Sequence, residues 1–135
     1  GRGGIQMTEE GGVRIDAANS TQSPDKKFAY HFAFTDTRKR ALRQVRVEDV
    51  SDEKATLLLD QANPTLSARG QWIGDPEPLV PTDPRLTWLA TVSDSVRVAR
   101  FTLTFADGQT LTLLQGTLYP AGLKSAIRHA FGQNY

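Results

Sequence analysis

Residues 96 to 119 constrain the fold more than any other stretch, because strand, turn and strand can be read together in VRVARFTLTF, ADG and QTLTLLQGTLY. Phe101, Leu103 and Phe105 alternate with Thr102 and Thr104, and Leu111 and Leu113 alternate with Thr110 and Thr112. Alternation of period two marks half-buried strands, and Asp107-Gly108 marks the turn of a hairpin. A two-residue loop at Asp107-Gly108 would set Leu103 opposite Thr112 and Phe105 opposite Thr110, apolar against polar. A loop of Ala106, Asp107 and Gly108, with Gly108 left-handed in a bulge, instead pairs Leu103 with Leu111 and Phe101 with Leu113 on one face. The sequence therefore predicts the bulged turn. Upstream, Val96 and Val98 lie on the opposite parity to Phe101, which predicts a bulge or bend at Ala99-Arg100.

A second strand is as plain. Phe28, Tyr30, Phe32 and Phe34 alternate with Ala29, His31 and Ala33, so residues 28 to 35 carry four aromatics on one face. After the polar turn Asp36-Thr37-Arg38-Lys39-Arg40, alternation resumes through Val45 and Val47, and Val50 on the other parity signals a bulge or strand end near Asp49. Residues 55 to 60 read as an apolar strand with Leu57 and Leu59 forward and Leu58 behind, stopped by Gln61-Ala62-Asn63-Pro64. Five of the seven prolines fall between Pro64 and Pro84, which leaves no long helix there. Residues 71 to 73 predict a short strand, and Thr82-Asp83-Pro84 a turn leading into a strand at Trp88. Leu123, Ala126, Ile127, Ala130 and Phe131 recur at helical spacing before Gly132, so residues 122 to 131 predict a short amphipathic helix that must dock to persist.

At the other end, residues 1 to 27 hold five glycines in the first twelve positions and then a polar run. Too little apolar surface is present to offset ordering most of this segment, which predicts a flexible, disordered tail with at most a short edge strand near residues 13 to 16, through Val13 and Ile15. Asn19-Ser20-Thr21 matches a glycosylation acceptor and is read as part of a solvated linker. The start at Gly1 is compatible with a removed leader or a tag scar, and the expectation taken is a mature exported bacterial domain, periplasmic or secreted.

Composition excludes more than it selects. The chain has 135 residues, enough for one core, and sixteen Lys and Arg against fifteen Asp and Glu give a net charge of +1, too mild to call for nucleic acid or an anionic membrane. No apolar run approaches the ~20 residues of a membrane span. Without cysteine there is no disulfide, thiolate nucleophile or Cys-ligated zinc. No Walker loop, HExxH or Gly-x-Ser-x-Gly occurs, and neither a cofactor nor a metal is expected.

Two charged stretches are candidates for function. Arg38, Lys39, Arg40, Arg43 and Arg46 put five cations in nine positions, either a polyanion patch or a solvated turn and strand face. Glu48, Asp49, Asp52 and Glu53 follow, and could neutralise those cations or serve as a carboxylate pair in glycoside hydrolysis, which needs two carboxyls roughly 5 to 10 Å apart with one desolvated. DVSDE lacks the glycine and spacing of a calcium loop. His31 and His129 are read as surface residues. Trp72 and Trp88 are read as core side chains that would stack on a sugar or anchor a partner if either lay outside.

The sequence thus predicts an all-β chain: a tail over residues 1 to 27 and a single immunoglobulin-like β-sandwich over 28 to 135, with about seven or eight strands and a short C-terminal helix. The expected function is a non-catalytic protein-interaction or structural module of a bacterial envelope or secreted assembly. Its partner would be a protein, and its candidate binding residues are Arg38, Lys39, Arg40, Arg43, Arg46 and Trp72, with the loop from Asn63 to Pro84 as a second candidate region. The alternative is a carbohydrate-active hydrolase or lyase using carboxylates at 48 to 53 with a tryptophan platform.

Overall fold

The computed structural model describes residues 6–22, 28–51, 53–74 and 96–118. They form eight strands, β1 (Glu9–Glu10), β2 (Val13–Gln22), β3 (Phe28–Asp36), β4 (Leu42–Asp49), β5 (Thr56–Ala62), β6 (Gln71–Gly74), β7 (Val96–Phe105) and β8 (Thr110–Leu118), and no helix. Two antiparallel four-stranded sheets result, ordered β1-β2-β3-β6 and β5-β4-β7-β8. The architecture is a β-sandwich. Among the described residues no helix is long and apolar enough to cross a membrane. The helix expected over 122 to 131, the strand at Trp88 and the turn at Thr82-Asp83-Pro84 lie outside the described residues.

The β7–β8 hairpin has the predicted bulged turn. Leu103 pairs with Leu111 and Phe101 with Leu113, the Phe105 N–H donates to the Gln109 carbonyl at 2.8 Å, and Gly108 takes φ 89°. Upstream the expectation fails. β7 pairs with β8 without interruption from Val96 to Thr104, so there is no bulge at Ala99-Arg100. Arg97 and Ala99 share the inward parity of Phe101, and both are buried. The valine pattern misled because an arginine, not an apolar residue, occupies the core side at that end of the strand.

Composition also misplaced the N-terminal segment. Residues assigned to a tail form β1 and the ten-residue β2, which sits between β1 and β3 rather than at an edge, with Val13 and Ile15 fully buried. Their alternation supplies one face of the core, and the ladder with β3 carries the backbone, with a bulge at Asp16. β4 ends at Asp49, as the parity of Val50 suggested, while Leu58 turns out to be the buried residue of β5 and Leu57 the exposed one. A bulge between the Val47 and Glu48 pairings, with Leu58 as the extra residue, reverses the expected facing.

The core is aromatic at the contact of the two sheets. Phe32 meets Phe101 edge to face, with ring centroids 5.6 Å apart, and Phe34 stacks on its cross-strand partner Trp72 at 5.0 Å. Each open side of the sandwich is closed by a glutamine. On one side the Trp72 indole N–H donates to Gln61 Oε1 at 2.9 Å, linking β6 to β5. On the other, buried Gln115 accepts from the Thr8 N–H and donates to the Gln6 carbonyl, tying the segment before β1 to β8. Gly74 is required beneath the indole, since a Cβ there would collide with Trp72 Cη2 and Cζ2. Gly74→Ala is expected to cost about 1 to 3 kcal/mol in urea denaturation, the range for overpacking.

One buried carboxylate braces the turn between β3 and β4. Asp36, fully buried, accepts from the Arg38 N–H at 3.0 Å, the Arg40 N–H at 2.9 Å and the Arg40 Nε at 3.0 Å. Desolvation opposes its ionisation, but the donors and charge of Arg40 with the Arg38 N–H overcome this and hold the carboxyl below its ordinary 3.8. Asp16 is likewise lowered, desolvation being outweighed by hydrogen bonds from Thr35, Gln71 and Arg14. Below the ordinary value the unfolded chain binds more protons than the folded one, so this stabilisation is complete above about pH 5 and is lost as pH falls through the lowered folded values. Urea midpoints measured from pH 7 down to pH 2 should fall along that course, and Asp36→Asn should flatten it. Asp36→Ala, which strands the Arg40 guanidinium and two backbone donors, is expected to cost about 3 kcal/mol at pH 7.

Candidate functional site

The turn that Asp36 organises forms one wall of a groove. Aspartate side chains bond backbone N–H groups two and four residues on, which favours a compact turn over continued strand. Here that turn is closed by the Lys39 N–H donating to the Asp36 carbonyl at 3.0 Å, with Lys39 itself at φ 52°. The other wall is the connection from β5 to β6. Asn63, also at φ 52°, donates its N–H to the Arg43 carbonyl at 2.7 Å and leads into buried Pro64. Ser67 then closes the connection, its hydroxyl accepting from the Gln71 N–H at 3.1 Å. The Asp36 N–H donates to the Gly70 carbonyl at 2.8 Å and fixes one wall to the other.

Between the walls lies an open trough of about 430 Å³, lined by residues 39–42 and 63–66. Leu42, buried Pro64 and half-buried Leu66 make an apolar floor, and Lys39, Asn63 and Thr65 a polar rim. Such a volume is within the range of small binding sites. Among the described residues the side chains of Lys39, Asn63 and Thr65 make no hydrogen bond or ion pair, whereas the charge of Arg40 is met by Asp36. Arg40 also donates to the Gly11 carbonyl at 2.7 Å and lies 4.1 Å from the Phe105 ring centroid.

The five cations singled out in sequence do not form one patch. Lys39 and Arg40 reach the groove, Arg38 is exposed on the turn, Arg43 Nη2 donates to the Ala106 carbonyl at 2.9 Å, and Arg46 pairs with Asp60 at 3.1 Å on the outer face of the second sheet. Hydrogen bonds from Gln44 and then Arg46 lower the Asp60 carboxyl below its ordinary value. Trp72 is only 1% exposed, so it serves the core and not a partner-facing surface. Ala41 and Leu42 were not named by the sequence reading, and it did not bring the loop from Asn63, with Thr65 and Leu66, together with the β3–β4 turn. Their signal was the pair of turn formers, Asp36 and Asn63-Pro64, which flank them but are distant in sequence.

Nor do the carboxylates converge. Glu48 and Asp49 are successive residues of one strand and face opposite sides of the sheet. Glu48 pairs with Arg100 at 3.0 Å on the outside, whereas Asp49 is buried against Arg97 at 3.2 Å. Glu53 is exposed on the following turn, and Asp52 lies outside the described residues. Among the described residues no group of three or more His, Asp or Glu side chains could hold a metal ion. His31 is exposed on β3, in register with Asn19 of β2.

The Asp49 carboxylate is committed to structure. Its two oxygens take Arg97 Nε and Nη2, and Oδ1 also accepts the Ser51 N–H at 2.9 Å. Asp49→Ala would break a buried ion pair and take both of these hydrogen bonds from the Arg97 guanidinium, and is expected to cost about 3 to 5 kcal/mol. Asp49→Leu combined with Arg97→Met, which removes both charges, should recover most of that loss. Urea denaturation of the two variants checks the difference. No protein-family model matches the chain, and no curated protein matches it by sequence.

Proposed function

We propose that this chain is a non-catalytic protein-interaction module that binds its partner in the groove between the β3–β4 turn and the β5–β6 connection. One observation carries the reading: two segments singled out separately as interaction candidates, at Arg38 to Arg46 and at Asn63 onward, meet there and leave polar side chains uncommitted at its rim. Loops braced on a rigid sandwich are a common place for recognition, because the scaffold meets the cost of holding them in position.

The strand order supports an immunoglobulin-like scaffold as part of the same proposal. β2, β3 and β6 lie together, and β4 and β5, which come between β3 and β6 in sequence, pair in the opposite sheet with β7 and β8. A Greek-key sandwich distributes its strands in this way. The edge strands β1 and β6 are two and four residues long and β5 is bulged, which discourages strand addition at those three edges, while the nine-residue β8 forms the fourth edge. We place the module in a bacterial envelope or secreted assembly, an oxidising setting that a cysteine-free chain tolerates.

A photo-crosslinking residue placed at Thr65, in cells of the source organism, should yield a discrete adduct with a second protein. The same residue at exposed Thr112, on the outer face of β8, should yield none. Equal labelling from both positions, or no adduct from Thr65, would remove the groove as the binding face.

A further inference from the structure

The rim and floor of the groove specify more than a location. Among the described residues its lining contains two cations and no acid, and the charge of Arg40 is already met by buried Asp36. Lys39 is therefore the uncompensated charge of the site. Its backbone is unusual as well: Lys39 and Asn63 are the two non-glycine residues with left-handed φ among the described residues, and both line the groove. Asparagine accepts that conformation readily and lysine does not, so a lysine held there points to use of its side chain.

Resting on the interaction reading above, we propose that the groove binds an extended acidic segment of a partner protein, with a carboxylate on the Lys39 ammonium and flanking aliphatic side chains on Leu42, Pro64 and Leu66. The Asn63 carboxamide and the Thr65 hydroxyl each donate and accept, as a bound peptide group requires. The trough is open to solvent rather than enclosed, which leaves room for a chain laid into it. Apolar contact supplies grip and the single ion pair supplies selectivity, because a rim charge chiefly discriminates between partners.

The test is an amide-resolved NMR titration of the full chain with two synthetic probes, acetyl-Ala-Leu-Glu-Leu-Ala-amide and the same peptide with Gln in place of Glu. The Glu peptide should shift the amides of residues 39–42 and 63–66 with a Kd of roughly 0.1 to 1 mM, and the Gln peptide should bind about 5-fold more weakly. Lys39→Asn should bring the Glu peptide to the level of the Gln peptide without lowering the melting temperature, since Asn adopts the left-handed backbone more easily than Lys. Lys39→Arg should retain the preference, as should Lys54→Asn, which removes the same charge from the exposed turn between β4 and β5. Raising the salt to 0.5 M should narrow the Glu to Gln ratio. Equal binding of the two peptides, shifts confined to other residues, no binding of either, or a preference untouched by Lys39→Asn would overturn the acidic ligand. A Thr65 adduct found alongside any of those results would leave the groove as an interaction site for a segment of different chemistry.

Discussion

The hydrogen bonds of the buried Asp36 carboxylate are the interaction on which the turn end of this sandwich depends. A carboxylate sealed from water is costly unless its lone pairs are filled, and here Arg40 and the backbone of Arg38 fill them. The same guanidinium reaches the Gly11 carbonyl of the β1–β2 turn and the face of Phe105 on β7. Thr37 adds two bonds to the Gly12 carbonyl, and the Asp36 N–H takes the Gly70 carbonyl. Three connections that are far apart in sequence are thereby held together by Asp36, Thr37 and Arg40. The groove inherits its shape from that arrangement, because one wall is the turn that Asp36 braces and the other is tied to Asp36 through the Gly70 carbonyl.

Charge is used twice in the interior, and differently. Asp36 and Arg40 lie where the chain crosses from one sheet to the other, with Arg40 partly in water. Asp49 and Arg97 lie inside the second sheet, both almost wholly buried, beside Gln115 and Thr117. The second pair specifies register more than it adds stability: a one-residue slip of β4 against β7 would turn one of the two charges outward and break the pair. Along the outside of the same sheet, Arg46 with Asp60 and Arg100 with Glu48 are exposed pairs, of small energetic weight but consistent with a solvated face.

Legibility of the sequence followed the range of the interactions. The β7–β8 turn was readable to the residue because its register is decided by local alternation, and the Phe28 to Phe34 strand because four aromatics repeat at period two. β2 was hidden by composition: Ala17, Ala18 and Asn19 carry little signal, and the strand is held by its ladder to β3 and by the burial of Val13 and Ile15. The burial of Arg97 left no local signal, because the carboxylate it meets, Asp49, is 48 positions away. The cation run around Arg38 does not stay together in the fold, because its members face different partners. Arg40 is neutralised locally by an aspartate four residues earlier, whereas the Lys39 side chain has no partner among the described residues.

If Asp36 fixes both walls of the groove, the turn should behave as part of the core and not as a surface loop. Amide hydrogen exchange decides this directly, since local opening is read residue by residue. The N–H groups of Asp36, Arg38 and Arg40, bonded to Gly70 and to the Asp36 carboxylate, should exchange as slowly as that of Val45 in the centre of β4. Exchange of those three at the rate of an unstructured turn, while Val45 remains protected, would contradict the view that one buried carboxylate holds this end of the molecule together.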